Sequence, residues 1–85
     1  MRLKKVEIVW LDAVIEEGHI HHSAIDAMVP IERHTIGYVV AEDDECVKIT
    51  YGTLENFYKG ERAYDMVLVI PRGMIKKITT IEEAP

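Results

Sequence analysis

Four acidic residues in succession, Glu42, Asp43, Asp44 and Glu45, separate two runs rich in strand-forming side chains. In the second run Val47, Ile49 and Tyr51 alternate with Cys46, Lys48 and Thr50. In the first, Ile36, Tyr38 and Val40 share one face of a strand, and Gly37, Val39 and Ala41 share the other. Two such runs around a short polar loop predict a β-hairpin over residues 35–51, with one face of its second arm wet. Gly37 inside a strand signals a bend, a bulge or a close backbone approach.

The same period of two appears near the start. Val6, Ile8 and Trp10 alternate with Lys5, Glu7 and Val9, which predicts a strand over residues 3–11 with the first three on the core face and Asp12 at its end. Residues 66–70 are five apolar side chains in a row. That predicts a strand covered on both faces, by core on one and a neighbouring subunit on the other. Pro71, Arg72 and Gly73 predict a tight turn, and residues 75–81 a last strand.

Two connections lack a strand period. In residues 15–34, Ser23 with Asp26 three positions on resembles a capping box. It predicts a short helix through Ala24, Ile25, Ala27 and Met28 that stops at Pro30. So short a helix must pack on something. Residues 52–64 are polar and predict a loop with a turn at Gly60 and one helical turn near residues 54–58. The tail, residues 82–85, is expected to fray.

With 85 residues and 9.7 kDa the chain makes one domain, residues 1–85. A chain of this size buries about 60–65% of its unfolded surface. Its core then supplies only about 3–5 kcal/mol without staples or partner chains. An apolar fraction of 48% with 29% charged residues is a globular composition. No apolar run approaches the roughly 18–20 residues of a membrane span, and no signal-peptide pattern stands at the N-terminus. One cysteine, Cys46, excludes an intrachain disulfide and points to a reducing, cytoplasmic location. The net charge of −5 argues against a generally cationic nucleic-acid binder but leaves room for a local basic patch. Five short, meander-connected strands predict a mainly β fold, a small and strongly bent five-stranded barrel with one short helix inserted after the first strand. A split α+β sandwich is the alternative.

The order of strand, helical insert, long hairpin, polar loop, short apolar strand, tight turn and last strand resembles an Sm-like barrel. Val69-Ile70-Pro71-Arg72-Gly73-Met74-Ile75-Lys76-Lys77-Ile78 is similar to the second Sm motif, an apolar pair before Arg-Gly followed by spaced aliphatic residues. The chain also resembles a group of small uncharacterised tailed-phage proteins. The shared residues are Trp10 and Asp12, Ile36-Gly37-Tyr38, the acidic hairpin tip and the closing run from Ile70 to Ile78. The sequence departs from the Sm pattern in placing its helix after the first strand and in lacking the Asp and Asn of the first motif. The resemblance implies a homo-oligomer, a ring above all, in the cytoplasm of a bacterial host. It also implies binding of RNA, single-stranded nucleic acid or nucleotides. On this reading Arg72 and Gly73 would present a guanidinium and open backbone to an anion, with Lys76 assisting. Lys48 and Lys77 are further cations near this site.

Other chemistry is poorly supplied. Glu16, Glu17, His19, His21, His22 and His34 have metal-ligating side chains, yet no His-Glu-x-x-His spacing is present, and no metal is expected. Ser23, His22 and Asp26 lie within five residues, but Ser23 is better explained as a helix cap than as a nucleophile. Asp44 and Glu45 discourage a Cys46 thiolate. The five glycines make no phosphate loop, and the acidic tip lacks the spacing of a calcium loop. No enzyme and no cofactor is expected. Trp10 and Tyr38 read as core, and Phe57 and Tyr58 as an aromatic pair that is either stacked on a base or buried. The alternative to nucleic-acid binding is a protein-interaction module that engages a host or phage protein through the acidic hairpin and residues 53–64.

Overall fold

A computed structural model describes residues 3–81, the side chains of Asn56 and Phe57 excepted. The expected fraying of residues 82–85 lies outside the described residues. The elements are β1 (Lys5–Asp12), α1 (His22–Ile25), β2 (Ile31–Glu42), β3 (Cys46–Tyr58), β4 (Glu61–Pro71), a 3-10 turn (Arg72–Met74) and β5 (Ile75–Thr80). The fold is mainly β, with one short helix after the first strand. The five strands form one sheet in the order β4-β3-β2-β1-β5, every pair antiparallel.

The alternation in β1 works as its residue pattern requires. Val6, Ile8 and Trp10 are buried, and Val47, Ile49 and Ile70 complete the core. Leu68, Ile75, Ile78 and Val39 pack around it. The Trp10 indole N–H donates to the Thr35 hydroxyl at 3.0 Å, so the largest core side chain leaves no unpaired donor. Tyr38, by contrast, shares the outer face of the sheet and is only half-buried.

Gly37 marks a close approach. A Cβ there would lie 3.0 Å from the Thr50 carbonyl oxygen and 3.1 Å from Ile49 Cδ1. The β2–β3 ladder shifts register between Val39 and Ala41 and begins only at the pair of Tyr38 and Thr50. Beyond that point the sheet forks. β2 and β1 run on together to the pair of Asp12 and Ile31, with β5 paired to the other side of β1 from Val6 to Trp10. β3 and β4 run on as a two-stranded ribbon to the pair of Tyr58 and Glu61.

This ribbon replaces the loop and helical turn expected over residues 52–64. Lys59 and Gly60 have φ of 51° and 78°, the pair of positive values that a two-residue hairpin turn requires. No described residue of the ribbon beyond Thr50 is buried, so no apolar alternation is required there, and its polarity imitates a loop. The helix also differs from expectation. It spans four residues, Ser23 lies inside it, and His21 occupies the N-cap position without a side-chain cap bond. None of its residues is buried.

Among the described residues no ladder joins β4 to β5, so the strands form one open, bent sheet. The Cα radius of gyration is 17.0 Å, where a compact domain of this length has about 12 Å.

Candidate interaction surfaces

Arg72 sits at the corner between β4 and β5, against the acidic hairpin tip. Its backbone N–H donates to the Glu45 carbonyl at 2.8 Å and its Nε to the Asp43 carbonyl at 2.9 Å. Its Nη2 lies 3.3 Å from Glu42 Oε1, and the same Glu42 carboxylate faces Lys4 at 3.8 Å. The guanidinium therefore ties the β2–β3 turn to the end of β4. The tip braces itself as well. Asp43 Oδ1 accepts from the N–H groups of Glu45 at 2.8 Å and Cys46 at 2.9 Å. The Cys46 and then the Glu45 backbone bond hold the Asp43 carboxyl below its ordinary pKa.

Lys76 is also engaged. Its Nζ lies 2.7 Å from Glu32 Oε1, while the other oxygen of that carboxylate meets His34 Nε2 at 3.1 Å. The hydrogen bond from Lys76, followed by that from His34, lowers the Glu32 pKa. Gly73 is open, with nothing within 4 Å of where a Cβ would stand. Arg72 and Lys76 thus reach opposite ends of β2, Arg72 to Glu42 and Lys76 to Glu32, and each of the two cations already has a carboxylate. His19, His21, His22 and Ser23 lie exposed between β1 and β2. Cys46 is a half-buried free thiol at the start of β3.

The most unusual surface is on β4. Leu68 and Ile70 point to the core, and alternation puts Val67 and Val69 on the outer face. Those two are 49% and 52% exposed, and Met66 beside them is 76% exposed. In the single chain, the expected second cover of this apolar strand is missing. Met66 also has a φ of 49°, a left-handed backbone that costs a side-chain-bearing residue about 1–2 kcal/mol. The β3–β4 register omits the pair of Tyr51 and Met66 at this kink. Thr50, fully buried, donates its hydroxyl proton to the Asp65 carbonyl at 2.6 Å, with the Gly52 carbonyl at 2.9 Å also in reach. A polar atom freed by the kink is thereby satisfied. Nothing in the residue pattern announced it, because neither Thr nor Met signals a break in a strand.

The accessible surface measures 6795 Å². A folded monomer of 9.7 kDa exposes about 5,100 Å². The chain therefore keeps about 1,700 Å² more surface than a compact monomer of its mass. No helix among the described residues is long and apolar enough to cross a membrane. No family model, no curated protein and no solved structure matches this chain.

Proposed function

We propose that the protein is a non-enzymatic, self-associating module, an Sm-like protein of phage type whose copies join through the open edges of the sheet. The carrying observation is the surplus of accessible surface. A standard interface takes about 800 Å² from each partner, so a surplus near 1,700 Å² suits a protomer with two neighbours. The two unpaired edge strands, β4 and β5, are the places where a neighbour's backbone adds most readily. The order of elements along the chain supports the Sm-like reading, and the apolar outer face of β4 supports burial by another copy.

Nucleic-acid binding at Arg72, Gly73 and Lys76 is the companion reading. RNA or another single strand would have to compete with Glu42 for Arg72 and with Glu32 for Lys76. Repetition around a ring would make such a weak contact multivalent. A host or phage protein bound at the acidic tip would leave the outer edges of β4 and β5 free, whereas one bound along the β3–β4 ribbon would cover the first part of the β4 edge.

Light scattering coupled to size exclusion, with the 260/280 nm absorbance ratio followed across the peak, tests this. The expected result is a particle several times the protomer mass. A monomer throughout the micromolar range would overturn self-association. Co-purifying nucleic acid that is lost in Arg72→Ala, with assembly intact, would establish the companion reading.

A further inference from the structure

The kink at Met66 breaks the β3–β4 ladder without shifting it. On one side Thr50 pairs with Val67, and on the other Gly52 pairs with Asp65. One residue on each strand, Tyr51 and Met66, is left between these pairs. No residue is inserted, so the register is the same before and after the break. Elsewhere the sheet does shift register, between Val39 and Ala41 and between Leu54 and Tyr58. Shifts of that sort are permanent, because undoing one would displace every later pair. The gap at Tyr51 and Met66 can close while every other pair stays in place.

Two opposed preferences meet at this gap. The left-handed backbone of Met66, with φ 49°, is disfavoured for a residue with a side chain by a factor of about 5–30. An extended Met66 escapes that cost. It also comes opposite Tyr51, a cross-strand contact for two side chains that now stand 76% and 48% exposed. Against this stands Thr50, fully buried, whose hydroxyl reaches the Asp65 carbonyl at 2.6 Å. A hydrogen bond that satisfies a buried group is worth a factor of the same order. No described residue from Tyr51 to Met66 is buried, so core packing does not choose between the two backbones. Strained positions held in such a balance are where bistable elements occur.

We infer that Tyr51 and Met66 form a two-position hinge on which the rest of the β3–β4 ribbon swings as one piece. In the open position, the one described above, Met66 is left-handed and Thr50 holds the Asp65 carbonyl. In the closed position Met66 is extended, its pairing with Tyr51 completes the ladder, and the hydroxyl releases Asp65. The ribbon keeps its own pairs, from Gly52 with Asp65 to Tyr58 with Glu61, and its Glu55–Arg62 ion pair at 2.7 Å in both positions. The hinge decides the direction in which the exposed Leu54, Tyr58 and Lys59 are presented. It belongs to the single chain and does not depend on self-association.

A distance measurement tests it. Nitroxide labels are placed at E61C near the ribbon tip and T79C on β5, both exposed positions, in a chain whose native thiol is removed by C46S. Dilution with unlabelled protein restricts pulsed dipolar spectroscopy to distances within one chain, and circular dichroism confirms folding of each variant. The open ribbon gives one distance and the closed ladder a second. M66V sets a β-branched side chain on the left-handed backbone, and T50V removes the hydroxyl. Each is expected to raise the closed population relative to the open one by about fivefold or more, and M66G to lower it by a similar factor. A single distance common to wild type, M66V, T50V and M66G would overturn the hinge. So would a second distance whose weight is the same in all four.

Discussion

A methyl group at Gly37 would meet a backbone oxygen 3.0 Å away, and that oxygen sits in the ladder on which the bend depends. Gly37→Ala is expected to destabilise the fold by about 1–3 kcal/mol in urea unfolding, the usual cost of overpacking. Gly52→Ala meets only the Asp65 side chain at 3.4 Å and should be tolerated better. At the kink, Met66→Gly removes the left-handed penalty and is expected to raise stability by about 1 kcal/mol. Thr50→Val leaves the Asp65 carbonyl without its hydroxyl donor and should cost about 1–2 kcal/mol. The tip supplies a pH test. Because the folded Asp43 carboxyl is held below its ordinary value, its contribution is present above about pH 4, where an unfolded Asp is ionised. It is lost as the pH falls through the lower, folded pKa. The amide resonances of Glu45 and Cys46 should therefore titrate together on the acid side of the ordinary Asp value. Titration at or above that value would contradict the brace.

At the scale of elements, legibility followed burial. The β1 period, the hairpin around the acidic tip and the final turn and strand were readable because Val6, Ile8, Trp10, Val47 and Ile49 face one core. The ribbon from Tyr51 to Met66 was not, since no described residue of it is buried and no alternation is selected there. Only Gly60 showed, and a positive φ at Lys59 made a two-residue turn where a longer loop was expected. The helix prediction failed at Ser23 for a related reason: with Ile25 unburied, no tertiary contact fixes where the turn begins. Of the candidate site, Arg72, Gly73 and Lys76 were visible by motif. Their pairing with Glu42 and Glu32 depends on register between distant strands. Val67 and Val69 give the element-scale prediction. Val67→Lys with Val69→Lys should weaken association strongly while leaving the monomer folded, as read by light scattering and circular dichroism. Unchanged assembly would mean that the outer face of β4 is not covered.

The whole molecule combines a core of six buried apolar residues among those described with a surface too large for its mass. An isolated chain of this kind is marginal, and burial of β4 by another copy would supply stability that the single sheet lacks. Stability should then rise with protein concentration. The most direct measurement is amide hydrogen exchange followed along β4 at low and high protein concentration. If copies cover this strand, the amides between Asp65 and Ile70 become markedly slower at high concentration, while those of β1, buried inside the sheet, change less. Exchange in β4 that is equally fast at every concentration would contradict the proposal that this edge is where the protein meets itself.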